Sequence, residues 1–230
     1  MTKDKLIKRL RTEYLKAKEP IISSRKIIRG TSHSISSYAE DIFAKFIADQ
    51  FKQKFKILID PQISIPSLQN SSGNKIFLFR PDICVICTQT NCIKMIFDLK
   101  MDLGYRRNNF IDFVESRNYE LKKIKNHKAS CSLIPNQDIF FSENLIWNYI
   151  IISSGNISQT QMNIIVDYFS KNKMANFYIL VEGHLNDFKN NNFTINDQHF
   201  NNLTNEINNN FTINDQHFNN LTNEINNNSL

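Results

Sequence analysis

Residues 76–100 read IFLFRPDICVICTQTNCIKMIFDLK, and this stretch decides the fold. It holds two apolar runs, 76–86 and 93–100, with the polar segment 88–91 between them. Apolar runs joined by a short polar turn are typical of paired antiparallel strands. We expect the first run to be one strand bent at Pro81, because proline cannot donate a hydrogen bond to a strand ladder.

The second run ends in Asp98-Leu99-Lys100. Residues i and i+2 of a strand point to the same face, so Asp98 and Lys100 are expected to share a face while Leu99 packs into the core. Asp82 lies 16 residues before Asp98, the length of a strand, a short turn and a returning strand, so strand pairing would bring the two acids together. Two adjacent carboxylates repel each other unless a cation lies between them.

A divalent metal at these carboxylates would draw charge from a phosphate and acidify a water molecule. Lys100 would hold that water or help to deprotonate it, and would offset developing charge. A structural interpretation competes. Asp-x-Lys is common on half-exposed strands, Pro81-Asp82 can cap a surface turn, and Arg80 can pair with the acid. These residues alone leave both interpretations open.

Glu40 is a fourth candidate for the same site. A strong helical pattern covers 37–55, with Phe43, Ile47 and Phe51 on one apolar stripe. Glu40 lies on that stripe, and an acid directed towards a core needs a partner, which a metal site would provide. Ser37-Tyr38-Ala39-Glu40 also matches a capping box, which would aim Glu40 at the start of its own helix. Both roles stay open.

Periodicity predicts the remaining elements of the chain. The expected helices are 3–18, 108–125 and 158–172, and the expected strands are 56–59, 145–152 and 176–181. The third helix opens with a Ser158–Gln161 capping box. The nearly continuous apolar run at 145–152 is typical of a strand buried on both faces. The order of elements predicts a mixed α/β sandwich.

The net charge of +6 is unevenly distributed. Residues 1–130 carry 25 Lys and Arg against 13 Asp and Glu, whereas residues 131–230 carry 3 against 9. A basic half suits a polyanionic partner, although a solvated basic surface would look the same. Arg106 and Arg107, which follow Gly104, are candidates for phosphate contacts. Further basic candidates are Lys3, Lys5, Lys8, Arg9, Arg11, Arg25, Lys26 and Arg29.

The four cysteines do not suggest a metal site. Cys84 and Cys87 match C-x-x-C, but three residues apart on a strand they would point to opposite faces. We expect these thiols, with Cys92 and Cys131, to be reduced and buried in a cytoplasmic protein. We expect no membrane association, because no apolar run approaches the roughly 18 residues of a membrane span and no secretory signal begins the chain.

The C-terminal tail has a different character. Residues 193–210 (FTINDQHFNNLTNEINNN) recur verbatim as residues 211–228. The tail is rich in asparagine and has only weak helical spacing, so residues 189–230 are expected to be disordered or weakly helical. The copied histidines carry no metal prediction. The expected organisation is then a basic helix and loop at 1–35, a core at 36–188 and this tail.

The acid-acid-lysine set resembles the motif of the PD-(D/E)XK nuclease superfamily, the fold of many type II restriction endonucleases, over about residues 36–183. The resemblance implies a restriction-endonuclease-like mixed β-sheet flanked by helices. It also implies that Asp82 and Asp98 ligate Mg²⁺, that Glu40 supports the metal site, and that Lys100 serves the attacking water. Asp102 shares the strand face of Asp98 and is a rival for one of the acid positions.

The resemblance further implies a Mg²⁺-dependent endonuclease that hydrolyses phosphodiester bonds in double-stranded DNA. A type II restriction enzyme is the leading expectation, and a homodimer at a palindromic site would follow from two-fold symmetry. A repair or recombination nuclease of the same fold is one alternative. A DNA-binding protein with a lapsed active site is another.

Overall fold

The structure, a computed structural model, describes residues 1–20, 34–50, 54–69, 76–125, 127–184, 187 and 193–212. The α-helices in these residues are α1 (Lys3–Lys16), α2 (Ser36–Ala48), α3 (Phe110–Ile124), α4 (Gln159–Lys171) and α5 (Asp197–Thr212). The strands are β1 (Phe55–Ile59), β2 (Ile63–Gln69), β3 (Ile76–Phe79), β4 (Ile83–Cys87), β5 (Cys92–Lys100), β6 (Ser130–Cys131), β7 (Phe140–Phe141), β8 (Trp147–Ser153), β9 (Ala175–Glu182) and β10 (Thr194–Ile195).

Most strands join one mixed sheet. Within the described ranges this sheet has seven strands in the order β1-β4-β5-β8-β9-β10, with β7 also paired to β5. The strands β1, β4 and β5 are antiparallel neighbours, whereas β5, β8 and β9 run parallel. A smaller sheet has the order β3-β2-β6. The predicted mixed α/β class, with helices flanking a mixed sheet, is confirmed at this level.

Apolar layers cover both faces of the larger sheet. The helices α3 and α4 and the smaller sheet pack on one face, where the rings of Phe110 and Tyr149 meet edge to face with their centroids 5.6 Å apart. The helices α1, α2 and α5 cover the other face, where Phe43 meets Phe97 edge-on at 5.7 Å. Every residue of β8 is buried, as its continuous apolar sequence predicts.

The predicted bent strand at 76–86 is wrong, because two strands of different sheets occupy it. The first part, β3, pairs with β2 in the smaller sheet, and β4 begins the larger sheet at Ile83. Pro81 lies between them, where a residue without an N–H group cannot continue a ladder. The sequence did not reveal β2, because Pro66 interrupts its pattern. A register shift between Ile65 and Gln69 spans that proline.

The helix predicted at 37–55 is too long. The observed α2 ends at Ala48, and Phe55 opens β1. Phe55 continued the apolar spacing of Phe43 and Ile47, so periodicity alone extended the helix into the strand. The predicted position of Phe51 lies outside the described residues, as do the turn at 70–74, the basic residues at 25–29 and the second repeat copy from residue 213 onwards.

The first repeat copy is helical and closely packed. Helix α5 buries Phe200, Leu203 and Ile207 against the larger sheet and its neighbouring helices. Of the two predicted states, the helical one therefore holds for residues 197–212. The packing is closer than the asparagine-rich sequence suggested, because tertiary contacts and not intrinsic propensity stabilise most protein helices.

The state of the cysteine thiols agrees with the sequence expectation. The four cysteines are buried and none forms a disulfide. Burial raises the pKa of Cys92 to about 11, so this thiol stays protonated at neutral pH. Within the described ranges, no helix has both the length and the apolar character needed to cross a membrane.

Candidate active site

Antiparallel pairing of β4 and β5 brings the two predicted metal-binding acids together. Ile83 lies opposite Phe97, so Asp82, one residue before β4, comes opposite Asp98. The Leu99 N–H group donates to Asp82 Oδ2 at 2.7 Å and fixes that carboxylate at the strand end. The convergence expected from the sequence is therefore present in the fold.

Lys100 contacts both acids. Its Nζ lies 2.5 Å from Asp98 Oδ1 and 3.3 Å from Asp82 Oδ2. Because both oxygens contact the same nitrogen, the two carboxylates lie close together. Leu99 is buried on the opposite face of the sheet, in the layer of Phe97. This alternation is the one that the strand pattern predicted. No ion pair between Asp82 and Arg80 occurs among the described residues.

Burial and charge set the protonation of this cluster. Burial, followed by repulsion from Asp82, raises the pKa of Asp98, while Lys100 opposes the rise. Burial lowers the pKa of Lys100, but its attraction to Asp98 and Asp82 outweighs burial and holds that pKa above its ordinary value. Lys100 is thus an ammonium at neutral pH. With both acids ionised, the two carboxylates and one ammonium carry a net negative charge that favours a further cation.

Glu40 faces a cleft beside this cluster and does not cap its helix. Helix α2 begins at Ser36 after Ile35, and no side chain caps it, so the predicted capping box does not form. Glu40, Asp82, Lys100 and Asp102 line a cleft of about 550 Å³. Burial, followed by the charges of Asp82 and Asp60, raises the pKa of Glu40 to about 7.

Two aspartates are the candidate ligands for a Mg²⁺ ion at this site. Among the residues that the structure describes, no three His, Cys, Asp or Glu side chains form a group able to hold a metal ion. Glu40 therefore does not join Asp82 and Asp98 as a third direct ligand in this arrangement. Mg²⁺ is usually held by one or two carboxylates, together with waters and substrate phosphates. The two aspartates fit that requirement.

The sequence analysis did not predict a partly buried group of polar side chains behind Asp98. Tyr149 is the register neighbour of Asp98 on β8, and its hydroxyl is buried. The Arg117 guanidinium of α3 lies 5.7 Å from the Trp147 ring and pairs with Glu120 at 2.8 Å. The positive charge of Arg117 opposes the rise in the pKa of Asp98. Only the pairing of β5 with β8 reveals this neighbourhood.

Arg106 and Arg107 lie close to the site along the chain but outside the cleft lining. Both belong to a 3-10 helix, Gly104–Asn108, which follows β5. The Arg106 guanidinium lies 4.4 Å from the Phe113 ring, and Arg107 borders a separate groove beside α3. Both side chains are exposed and are therefore accessible to an extended anionic partner.

Comparisons with known proteins do not identify the chain. No family model, no curated protein and no solved structure matches it. The chemistry of the cleft must therefore carry any functional argument. That chemistry is a lysine ammonium in contact with two aspartates, one lining the cleft and one buried behind it, and a third acid with a raised pKa.

Proposed function

We propose that this protein is a Mg²⁺-dependent endonuclease of the PD-(D/E)XK type that hydrolyses phosphodiester bonds in double-stranded DNA. One observation carries the proposal: Lys100, which lines a cleft together with Asp82 and Glu40, contacts both Asp82 and the buried Asp98 through its ammonium group. A type II restriction enzyme with a restriction-endonuclease-like fold is the form of this activity that we favour.

The acids of the cleft support a requirement for a cation. The charges of Asp82 and Asp60 act on Glu40, the charge of Asp82 acts on Asp98, and Lys100 is the cation in contact with Asp82 and Asp98. An anionic phosphodiester would be repelled by such a site. A Mg²⁺ ion held by Asp82 and Asp98 would neutralise that charge and acidify the attacking water.

Of the two roles that the sequence allowed for Lys100, this proposal keeps the holding of the attacking water and not its deprotonation. Its raised pKa keeps it protonated, so it donates hydrogen bonds to the attacking water and to the developing negative charge. It does not act as the base in this state of the site. Glu40, with a pKa of about 7, can exchange a proton near neutral pH and supports the site from α2.

The basic half of the chain suits a DNA backbone. We propose that Arg106 and Arg107 contact phosphates beside the cleft, and that the exposed lysines of α1 extend this surface. A homodimer would place two clefts on the two strands of a palindromic site. Such an enzyme would act in the cytoplasm, where its DNA substrate is found.

Incubation with plasmid and genomic DNA in the presence of Mg²⁺ tests the function. We expect discrete fragments from wild type, no cleavage in EDTA, and no cleavage by Asp98→Ala. The matched control is Asp112→Ala, which removes an exposed acid from the first turn of α3 and should cut like wild type. A wild-type protein as inert as Asp98→Ala would overturn the proposal.

The product pattern separates the alternatives. A smear would indicate a nuclease without site specificity, and preferential cutting of synthetic junctions would indicate a repair or recombination nuclease. A DNA-binding protein with a lapsed site would cut nothing. It would also bind duplex DNA with unchanged affinity after Asp82→Asn and Asp98→Asn are combined.

A further inference from the structure

The first repeat copy occupies a defined seat on the fold, which we call the tail seat. The seat consists of the outer edge of β9 together with Phe46 of α2. Residues Thr194 and Ile195 extend the sheet by pairing with Glu182 and Val181. The helix that follows, α5, then packs across the apolar layer beside β9.

Apolar contacts anchor the helix in the tail seat. Phe200, Leu203 and Ile207 are at most 2% exposed, and the Phe200 ring meets Phe46 edge-on at 6.1 Å. Asparagine is a poor helix former, so isolated residues 197–212 would have little reason to be helical. The seat therefore supplies the stability of this helix.

Polar contacts complete the fit. The Ile179 N–H group donates to His199 Nδ1 at 2.7 Å, so the imidazole occupies the sheet edge beyond the short strand β10. Asn196 Oδ1 accepts from the His199 N–H group at 3.0 Å, and Asn196 Nδ2 donates to Glu182 Oε1 at 2.9 Å. The side chains that the tail contributes to these contacts all lie within residues 193–210.

The second copy contains the same side chains at the same spacing. Residues 211–228 repeat 193–210 letter for letter. The counterparts of the seated residues are Asn214, His217, Phe218, Leu221 and Ile225. We infer that the tail seat accepts either copy from the same chain, so that the folded protein exchanges between two seated arrangements.

The two arrangements differ mainly in the length of the connection that leaves β9. Residues 183–192 connect the first copy to the strand, whereas residues 183–210 would connect the second. Closing the longer loop costs more conformational entropy, and this cost favours seating of the first copy by about fivefold. The second copy is therefore a minor but substantial occupant.

Paired truncations test this exchange. The first-copy variant carries Phe200→Ala and Leu203→Ala, the second-copy variant carries Phe218→Ala and Leu221→Ala, and the combined variant carries all four. The readout is hydrogen exchange at the Ile179 amide, which the seated histidine protects. We expect the first-copy variant to lose only about sixfold in protection, because the intact copy takes the seat. The second-copy variant should match wild type.

The combined variant should lose protection at Ile179 far more, by about a hundredfold or above, since truncating buried Phe and Leu side chains is costly. Equal loss in the first-copy and combined variants would overturn the inference. So would protection in the first-copy variant that rises with protein concentration and accompanies a dimer in sedimentation, because the second copy would then occupy the seat of another molecule.

Discussion

At the residue scale, the central feature is one ammonium that contacts two carboxylates. Lys100 holds Asp82 and Asp98 together, and their negative charges in turn keep it protonated. The i, i+2 spacing was enough to predict that Asp98 and Lys100 share a face. It could not show that Glu40 would line the same cleft as Lys100, because that depends on how α2 packs on the sheet.

Metal affinity should show whether Asp82 or Asp102, which both line the cleft, is the metal ligand beside Asp98. We expect Asp82→Asn to weaken Mg²⁺ or Mn²⁺ binding at least about tenfold, because a carboxylate ligand is lost. Asp102→Asn should change the affinity little, since Asp102 lines the cleft without contacting Lys100. Isothermal titration calorimetry of both variants measures this. A larger loss of metal affinity in Asp102→Asn than in Asp82→Asn would make Asp102 the metal ligand in place of Asp82.

Glu40→Gln should stabilise the metal-free protein at high pH. The folded state raises the pKa of Glu40 to about 7, against about 4.3 in an unfolded chain, so the folded state binds this proton more tightly. Ionised Glu40 therefore destabilises the fold, by an amount that grows from about pH 4 and levels off above pH 7. The variant should gain at pH 8 and match wild type at pH 4.

Urea unfolding in EDTA at both pH values measures the stability of wild type and Glu40→Gln. Glu115→Gln, an exposed position on α3, is the control for removal of a carboxylate. A gain in Glu40→Gln that is no larger at pH 8 than at pH 4 would contradict this account of the cleft.

At the element scale, the sequence was most informative where a single periodicity was uninterrupted. The fully buried strand β8 and the Ser158 capping box of α4 formed as predicted. The sequence predictions were wrong around two prolines and one phenylalanine. Pro81 separates two sheets, Pro66 lies inside β2, and Phe55 opens a strand while matching the spacing of the preceding helix.

Acid should loosen the tail seat. The hydrogen bond from Ile179 requires a neutral His199 ring, and burial lowers the pKa of that ring. The stability that this contact contributes is fully present above the unfolded pKa of about 6.5, and it is lost as the pH falls below that value. Rate-corrected hydrogen exchange at Ile179 should therefore show less protection at pH 5.5 than at pH 7.5.

The Ile150 amide in β8 is a suitable reference for this measurement, because it lies in the buried centre of the sheet. Protection at Ile179 that is constant over this pH range, or that falls in parallel with Ile150, would argue against control by the histidine.

At the scale of the whole molecule, uneven charge and mixed sheet topology set the functional expectation. The sequence predicted the mixed α/β class and the basic half of the chain. The positions of Arg117 and Tyr149 behind Asp98 could not be predicted, because they depend on parallel pairing between strands far apart in sequence. The packing of the first tail copy could not be predicted for a similar reason, since the residues that it contacts lie on β9 and α2.

Charge should govern DNA affinity. Replacing Arg106 and Arg107 by glutamine should weaken binding to all duplexes alike and reduce the slope of log affinity against log salt by about one to two. Lys171 and Lys173 are exposed in the acidic half, so their replacement by glutamine is the matched control. Fluorescence anisotropy over a range of salt concentrations gives both slopes. Equal salt slopes in the two variants would show that Arg106 and Arg107 do not contact the DNA.

The most direct test of the account is the initial rate of plasmid cleavage in Mg²⁺ by wild type, Lys100→Met and Asp98→Asn. The proposal predicts that each substitution lowers the rate by at least about a hundredfold, because the removed groups stabilise charge at the reacting phosphate. Folding is checked by thermal unfolding of the same samples. A folded Asp98→Asn protein that cuts as fast as wild type would contradict the assignment of this cleft as the active site.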